Sequence, residues 1–598
     1  MNIAVFFGGR SCEHDISIIT GVQVLNALGD GYRVLPVYMK DGGFYTSDLM
    51  LDVGFFENPN LKKATRIWLI DGSFYTRKGM LLLKKETPDV ALICCHGGEG
   101  ENGVLQGFLE YNGVPYTSAG LIASSVCMDK SIAKQLLDGL MLNTMPSITV
   151  HRSDFEKNTN DVIRHVSTFL EYPLIVKPSG LGSSIGIKKA RTEDELKAAI
   201  EVAAKFDEKI IVENALENFK ELNCAAYSDG RNVYVSEVES PVSWHDFLSF
   251  DDKYSGGKNG GGKRELPANI PSEIRDNVKG ITKRIYEDLD MSGVVRVDFL
   301  LSDDQKLFVN EVNTVPGSMA FYLFEPVGIS FRTMLDGIIA AALIRKKEAR
   351  KDKSIAKQLL DGLMLNTMPS ITVHRSDFEK NTNDVIRHVS TFLEYPLIVK
   401  PSGLGSSIGI KKARTEDELK AAIEVAAKFD EKIIVENALE NFKELNCAAY
   451  SDGRNVYVSE VESPVSWHDF LSFDDKYSGG KNGGGKRELP ANIPSEIRDN
   501  VKGITKRIYE DLDMSGVVRV DFLLSDDQKL FVNEVNTVPG SMAFYLFEPV
   551  GISFRTMLDG IIAAALIRKK EARKSRLYFD SDVIRNFMRG KSPKHLQK

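Results

Sequence analysis

The chain has 598 residues, of which 27% are charged and 43% hydrophobic, and its formal net charge is −7. This composition is typical of a soluble globular protein, and the length predicts several domains. The negative charge argues against a general nucleic-acid binder. The sequence contains no run of about 18 apolar residues, so no membrane span is expected. No signal peptide is expected either. Six cysteines without a spaced framework indicate reduced thiols and a cytoplasmic location.

The N-terminal segment starts with apolar residues 2–7, which end at a pair of glycines. A helical pattern follows over 16–28, and this order predicts the first strand and helix of a doubly wound α/β domain. Polar residues 11–15 lie between the two, where ligands bind in such folds. The alternative is that they cap the helix.

A second predicted strand, 90–95, leads into the sequence HGGEGENG at 96–103. Four glycines at the end of a strand indicate a loop that lets a ligand approach its backbone. A flexible surface loop is the alternative.

Residues 174–189 read as a strand, a glycine- and serine-rich loop and a second strand, preceded by predicted helices at 131–140 and 151–170. The loop is no Walker A motif, because it lacks Gly-Lys-Ser/Thr, but its N–H groups and hydroxyls can cradle phosphates. A capping box at 192–195 predicts a helix over 196–206. The next strand, 209–213, ends at Glu213, which either accepts a base amine or is simply exposed.

The segment 249–263, SFDDKYSGGKNGGGK, is rich in glycine and includes Lys253 and Tyr254. Such a composition is typical of a mobile lid over a site. A linker without fixed structure is the alternative.

Residues 294–318 show strand-like alternation on two arms joined by a turn near Gln305. Antiparallel pairing is predicted to place Asp298 opposite Glu311 and to add Arg296 and Asn313 to the same face. Two carboxylates held this close repel each other unless a counter-charge is present. Oxygen ligands of this kind suit magnesium bound together with phosphates. A solvated hairpin face is the commoner alternative.

Eight segments occur in the order found in one family: GGRSCEHDIS, HGGEGENG, MDKS, IVKPSGLGSSIG, IVENAL, DDKY, RVDF and NEVNTVPGS. The chain therefore resembles the D-alanine–D-alanine ligases of the ATP-grasp superfamily. The resemblance implies ATP-dependent joining of two D-alanines through an acylphosphate, for peptidoglycan precursor synthesis. It also implies two Mg²⁺ (or Mn²⁺) ions, a cytoplasmic homodimer, and no nucleic-acid or membrane partner.

The resemblance also assigns residues. Those that hold ATP are Lys130, Lys177, Ser183, Ser184, Glu213 (adenine amine), Leu216, Glu221 (ribose) and Lys253. Those that bind the amino acids are Glu13, His96, Glu101, Lys253 and Tyr254. The catalytic group is Glu13, Ser183, Tyr254, His96, Arg296 and the Gly317 amide, of which Arg296 and Gly317 stabilise the oxyanion. The metal ligands are Asp298, Glu311 and Asn313.

One position departs from the family. Many members have a serine near Tyr322 that helps to hold the carboxylate of the second substrate. Activity as a D-Ala–D-Ser or D-Ala–D-Lac ligase is therefore an alternative, although Tyr254 favours an amino acid as acceptor.

Residues 129–351 recur without change as 352–574. The second copy repeats the nucleotide residues Lys353, Lys400, Glu436 and Glu444 and the metal ligands Asp521, Glu534 and Asn536. Glu13, His96 and Glu101 occur once, so one complete site is expected in each chain, and a non-catalytic ATP-binding module is the alternative reading. The predicted domains are 1–128 (N-terminal α/β), 129–217 and 218–351 (ATP-grasp central and C-terminal, first copy), 352–440 and 441–574 (the same, second copy) and 575–598 (basic tail).

Overall fold

The computed structural model describes residues 1–182, 184–241, 264–345, 353–403, 408–464, 487–574 and 583–589. The chain divides into two units. The first consists of Met1–Leu137, Met141–Lys347 and Arg573–Lys598, and the second of Asp138–Leu140 and Glu348–Ala572. The end of the chain, which follows the second copy in sequence, therefore belongs to the unit that contains the N-terminal segment and most of the first copy.

A seven-stranded sheet forms the N-terminal part of the first unit. In spatial order its strands are Leu81–Glu86, Ser73–Lys78, Thr65–Ile70, Gly43–Thr46, Arg33–Lys40, Asn2–Gly8 and Val90–Ile93. The last three run parallel, as predicted for an α/β opening, whereas the other neighbouring pairs are antiparallel. The sequence contains a signal for the antiparallel strands. Asp41-Gly42 and Asp71-Gly72, all with positive φ, form the short turns of two hairpins.

Three α-helices accompany this sheet: His14–Leu28, Val104–Tyr111 and Leu121–Met128. Short 3₁₀ segments lie at Asp48–Leu51, Val53–Phe56, Leu61–Lys63 and Gly98–Gly100. The first helix confirms the prediction, and its buried face packs with Ile3, Val5 and Phe7 of the strand Asn2–Gly8. The segment 319–324 joins the same core, so the end of the predicted hairpin region is anchored on the N-terminal sheet.

The middle of the first unit contains a four-stranded antiparallel sheet. Its strands, in spatial order, are Lys188–Ala190, Leu174–Pro178, Lys209–Asn214 and Ser147–His151. The helices here are Lys130–Gly139, Arg152–Lys157, Thr159–Phe169 and Glu193–Ala203. The prediction of one helix over 151–170 is wrong, because His151 ends a strand and the helical stretch is broken at Asn158, whose φ of −146° is not helical. The predicted capping box is present, since Thr192 accepts the N–H of Glu195 at 3.2 Å.

A second four-stranded sheet completes the first copy. Its order is Val233–Val235, Phe219–Ser228, Val294–Ser302 and Leu307–Asn313, and a two-stranded ribbon pairs Ser240–Pro241 with Arg264–Glu265. The helices are Ser272–Asp288 and Phe331–Arg345, with 3₁₀ segments at Gly317–Leu323 and Glu325–Val327. The predicted lid, 249–263, lies outside the described residues.

The second unit repeats these elements. Its sheets contain Ser370–His374, Lys432–Asn437, Leu397–Pro401 and Lys411–Ala413, then Val456–Val458, Phe442–Ser451, Val517–Ser525 and Leu530–Asn536, and the ribbon Ser463–Pro464 with Arg487–Glu488. Its helices are Lys353–Gly362, Arg375–Lys380, Thr382–Phe392, Glu416–Ala426, Ser495–Asp511 and Phe554–Ala572, with 3₁₀ segments at Gly540–Leu546 and Glu548–Val550. A last helix, Val583–Met588, belongs to the first unit.

Within the described ranges, no single helix is both long and apolar enough to cross a membrane. Two helix pairs bent by 114° meet the length and composition test together, Gly317–Val327 with Phe331–Arg345 and Gly540–Val550 with Phe554–Ala572.

Candidate functional site

The hairpin of the first copy has the predicted register. Asp298 lies opposite Glu311, and Arg296 lies opposite Asn313, with a β-bulge directly after Asp298. The period of two along each strand therefore puts these four polar side chains on one face.

Each carboxylate on this face has a cationic partner. Arg296 donates from Nε and Nη2 to the two oxygens of Asp298 at 2.6 and 2.8 Å, and Asn313 Nδ2 donates to Asp298 at 3.0 Å. Lys130 Nζ lies 2.7 Å from Glu311. Lys130 reaches the hairpin from a helix far away in sequence, so the repulsion between the two opposed carboxylates is offset by two cations.

The donor set fits magnesium bound with phosphates. Asp298, Glu311 and Asn313 offer two carboxylates and one amide oxygen, the hard ligands that Mg²⁺ takes. No described group of three or more His, Cys, Asp or Glu side chains is arranged to hold a metal. A cation at this face would therefore complete its coordination with other oxygens, for which nucleotide phosphates are the usual source.

A cavity of about 750 Å³ lies on one side of this face. Its volume is in the range of small-molecule sites. The predicted nucleotide residues that line it are Lys130, Lys177, Ser184, Glu213, Leu216 and Glu221. The structure thus brings together residues that were assigned to ATP from three separate motifs and, with Glu221, from a position outside them.

Glu213 lies between two lysines at one wall of this cavity. Lys134 Nζ is 2.9 Å from Glu213 Oε2, and Lys177 contacts Oε1. Burial by itself raises the pKa of Glu213, but the two lysines hold that pKa below its ordinary value, so the carboxylate is ionised. Sequence reasoning missed Lys134, although its spacing of four residues from Lys130 puts both lysines on one side of a helix.

Asp129 fixes the start of the glycine- and serine-rich loop. One carboxylate oxygen accepts the hydroxyls of Ser131 and Ser179, both at 2.7 Å, and the other is 2.8 Å from Lys209 Nζ. These contacts tie the helix that begins at Lys130 to the strand end that enters the loop. Asp129 was not among the predicted residues, and its place in the MDKS segment was the available signal.

A smaller cavity, of about 90 Å³, adjoins the first one. Glu13, His96, Glu101, Arg296 and Gly317 line it, among others. Both cavities share a further set of lining residues: Lys130, Gly182, Glu221, Asp298 and Glu311. The carboxylate face therefore lies where the larger and the smaller cavity meet.

His96 holds the segment that carries Gly317. Its Nδ1 lies 2.7 Å from the carbonyl oxygen of Val315. Since a carbonyl can only accept, Nδ1 carries the proton, and Nε2 is left to accept from the Thr20 hydroxyl at 2.8 Å. Thr20 Oγ1 in turn accepts the N–H of Ser318 at 3.1 Å. Burial lowers the pKa of His96 to about 4, so the ring is neutral at physiological pH.

Glu101 holds the same segment from another side. Its carboxylate accepts the backbone N–H groups of Gly97 at 2.9 Å and of Val315 at 3.0 Å. Burial, followed by the charge of Glu13, raises the pKa of Glu101 to about 7. Sequence reasoning placed His96 and Glu101 beside the substrates, whereas their contacts show that they also position the backbone around Gly317.

Three residues after Gly317 have left-handed backbone conformations. The φ angles of Ser318, Met319 and Ala320 are 48°, 51° and 47°, and this region costs non-glycine residues about 1–2 kcal/mol each. Burial of Met319 and Ala320 in the N-terminal core holds them there. Strain of this kind is often concentrated at functional sites, and here it lies directly after Gly317.

Tyr322 belongs to a buried polar group at the other end of the smaller cavity. Its hydroxyl donates to Glu239 at 2.8 Å, and Arg264 donates to the same carboxylate at 3.1 Å. The Arg264 guanidinium also lies 4.8 Å from the centre of the Tyr322 ring. An arginine and a phenol thus line the place where the family pattern expects a serine.

Three predicted residues, Ser183, Lys253 and Tyr254, lie outside the described residues. Their assignment to the phosphate loop and to the substrates stays a prediction.

The second unit has the same hairpin face. Asp521 lies opposite Glu534, Arg519 is 2.6 Å from Asp521, and Lys353 is 3.1 Å from Glu534. The side chain of Asp521 is 21% exposed, against 7% for Asp298. The second site is therefore more open than the first.

The second unit also repeats the lysine cluster. Lys357 Nζ lies 3.0 Å from Glu436, and Lys400 contacts the other oxygen of that carboxylate. The two lysines thus repeat the contacts of their counterparts in the first copy. The predicted residues Glu444 and Asn536 lie in the same strands of the repeat as their counterparts do.

Comparisons with known proteins agree with this geometry. The family model described as D-ala D-ala ligase N-terminus matches residues 2–119, and that described as D-ala D-ala ligase C-terminus matches twice, at 136–340 and 359–563. The two matches of the C-terminal model follow from the repeat.

The chain is 38% identical over 359 residues to a D-alanine–D-alanine ligase of Thermosipho africanus, a match that covers 59% of this chain and 95% of the relative. It is 32% identical over 363 residues to the enzyme of that name from Staphylococcus epidermidis, which covers 59% of this chain and 98% of the relative. The solved D-alanine–D-alanine ligase of Coxiella burnetii has a TM-score of 0.50 and 24% identity, covers 58% of this chain and 95% of its own, and supports the fold alone. The chain belongs to the D-alanine–D-alanine ligase family.

Proposed function

We propose that the first unit joins two D-alanines at the expense of ATP, through an acylphosphate. The observation that carries this proposal is the junction of the two cavities at Lys130, Asp298 and Glu311. A nucleotide in the larger cavity would direct its terminal phosphate at that junction, and a carboxylate in the smaller cavity would meet it from the opposite side.

Each step has residues suited to it. The carboxylate of the first D-alanine attacks the γ-phosphorus of ATP, and ADP leaves, while Lys130 and Lys177 neutralise phosphate charge. The neutral amine of the second D-alanine then attacks the carbonyl carbon of the acylphosphate and forms a tetrahedral intermediate. This intermediate expels phosphate as the C–O bond breaks, and the phosphate takes up the proton that the nitrogen loses. Arg296 and the Gly317 amide stabilise the oxyanion of that step. Magnesium held by Asp298, Glu311 and Asn313 supplies charge neutralisation and orientation of the phosphates when it is bound.

Glu13 lines the smaller cavity and is suited to the ammonium of the first D-alanine. His96 and Glu101 support the Gly317 amide through the backbone of residues 315–318. Lys253, Tyr254 and Ser183 complete the site by family resemblance. A homodimer, a cytoplasmic location and a role in peptidoglycan synthesis remain predictions of that resemblance.

The identity of the second substrate has two alternatives, D-serine and D-lactate. Tyr322, Glu239 and Arg264 replace the simple serine hydroxyl of the family pattern, so D-serine or D-lactate remains a candidate acceptor. The direct test offers the purified chain ATP, Mg²⁺ and a mixture of D-alanine, D-serine and D-lactate, and identifies the products by mass spectrometry. D-alanyl-D-alanine as the main product supports the proposal.

The repeat offers a matched control for this test. Arg296→Ala is expected to cost about 3 kcal/mol of transition-state stabilisation, the scale of a lost oxyanion donor, whereas Arg519→Ala in the second unit leaves the rate unchanged. A chain that binds ATP but forms no dipeptide from any mixture is instead a non-catalytic nucleotide-binding module.

A further inference from the structure

The C-terminal helix Val583–Met588 is encoded after the second copy but packs within the first unit. It lies against the first helix, His14–Leu28, and against the 3₁₀ segment Val53–Phe56. Val583 is fully buried and Ile584 is 8% exposed. The ion pair from Arg585 to Glu57 is 3.9 Å long and exposed, so apolar contacts hold this helix in place.

Val583 belongs to a cluster that joins two parts of the first unit. Its buried partners are Cys12, Ile16 and Ile19 from the N-terminal part and Ile185 from the glycine- and serine-rich loop. Side chains that pack against this cluster include Phe206 and Phe587. The C-terminal helix therefore takes part in a contact between the N-terminal domain and the phosphate-binding loop.

Two described residues of the second copy show how exposed the same side chains are without this cover. Ile185 is 7% exposed, whereas Ile408, the same residue of the repeat, is 42% exposed. Phe206 is half-buried, whereas its counterpart Phe429 is 51% exposed. Since the copies have identical sequences, the difference comes from segments outside the repeat, which are the N-terminal part and the C-terminal helix.

The cluster lies directly behind a contact in the candidate site. Cys12 precedes Glu13, and Ile185 follows Gly182 by three residues. A Cβ at Gly182 would lie only 2.9 Å from Glu13 Oε2, so the loop is closed onto Glu13 as far as a glycine allows. The apolar cluster holds the two segments that carry Glu13 and Gly182 together.

We infer that Val583 is a positioning residue: the C-terminal helix clamps the phosphate-binding loop of the first copy onto the N-terminal domain at Glu13. The working site is thus built from both ends of the chain, and the second copy is an insertion between the first copy and its own tail. The part of this inference that concerns kinetics rests on the proposed function.

The test compares full-length Val583→Asp with Met588→Asp, a matched change at a residue of the same helix that is 47% exposed. Charge at Val583 is expected to detach the helix, because a buried carboxylate without a partner is costly. The KM for ATP should rise about ten-fold, equivalent to ~1.4 kcal/mol of binding free energy, with little change in kcat, because saturating nucleotide closes the loop again. Met588→Asp should leave both constants unchanged.

A second measurement does not depend on ligase activity. Cys12 occurs once in the chain and is 8% exposed in this cluster, so its reaction with N-ethylmaleimide reports whether the helix is docked. Val583→Asp should speed the labelling of Cys12 but not that of Cys94 and Cys127, which are buried elsewhere. Val583→Ile keeps an apolar side chain at this position, so its labelling of Cys12 should stay slow and its KM for ATP should stay normal.

Two results would overturn the inference: unchanged labelling of Cys12, or faster labelling of Cys12 with an unchanged KM for ATP. The second result would mean that the helix covers the N-terminal domain without supporting the loop. If Val583→Asp fails to fold, Val583→Ala gives the same readouts at smaller amplitude. If the wild type makes no dipeptide, the proposed function fails, and calorimetric affinity for a non-hydrolysable ATP analogue replaces KM in the same comparison.

Discussion

Glu101 accepts the backbone N–H of Val315 at 3.0 Å, across more than two hundred residues of sequence. At the next peptide unit, His96 donates to the carbonyl oxygen of the same residue, Val315, at 2.7 Å. Two side chains of one glycine-rich loop thus fix the backbone that leads to Gly317. If the Gly317 amide stabilises an oxyanion, the accuracy of that donor depends on this loop.

The first prediction concerns His96. His96→Ala removes the bonds to Val315 and Thr20, so the Gly317 amide loses its fixed direction. We expect kcat to fall about 100-fold, the scale of a misplacement near 1 Å, with little change in the KM for ATP. Thr20→Val should give a smaller loss of the same kind, and the double variant should lose less than the sum of the two single losses, because both residues hold the same segment. Steady-state kinetics of the three variants check this, and additive losses would argue for separate roles.

The second prediction concerns the pH dependence of stability. The pKa of Glu101 is raised from 4.5 to about 7 by burial, so between these values the folded chain keeps a proton that the unfolded chain has lost. Glu101 therefore stabilises the fold at low pH, and its contribution, at most ~3 kcal/mol, is lost as the pH rises through 7. The lowered pKa of His96, about 4, has the opposite effect, since stability is lost as the pH falls from 6.5.

Because the two effects oppose each other, the measurement compares the wild type with Glu101→Gln. The free energy of unfolding of the wild type, relative to that of Glu101→Gln, should be higher at pH 5 than at pH 8. A difference that is constant over this range would show that Glu101 titrates normally.

The third prediction asks which unit is catalytic. Asp298→Ala with Glu311→Ala should abolish dipeptide formation, whereas Asp521→Ala with Glu534→Ala should leave most of it. The reason is that Glu13, His96 and Glu101 lie with the first hairpin in the first unit. Dipeptide formation should be measured at low protein concentration, to suppress exchange of domains between chains. Loss of activity in the Asp521 and Glu534 variant alone would reverse the assignment.

The fourth prediction concerns nucleotide stoichiometry. Both units keep a lysine pair on a buried glutamate, Glu213 and Glu436, so two sites for an ATP analogue are expected. The second should be weaker, because its carboxylate face is more exposed. Calorimetry should find two sites in the wild type and one after Lys400→Ala, while Lys177→Ala should remove the tighter one. A single site in the wild type would mean that the second copy does not bind nucleotide.

The sequence by itself determined the elements near the site and the family. Alternation of apolar and polar residues placed Asp298 opposite Glu311, because a strand has a fixed period of two and a short turn fixes the register. Eight motifs in one order identified the ligase family and supplied most of the predicted residues that line the larger cavity. The repeat was visible because it is identical. The Asp-Gly turns of the N-terminal sheet are a local signal for two hairpins that the sequence analysis did not predict.

Tertiary structure decided the rest, because those contacts join residues far apart in sequence. Lys130 on Glu311, Lys134 on Glu213 and Thr20 on His96 arise when separate elements pack together, and no local pattern encodes such partners. The same holds for the C-terminal helix. Its sequence gives no hint that Val583 would lie against Cys12 and Ile185, since Ile185 and Ile408 stand in identical sequences and yet differ in how much of each side chain is exposed.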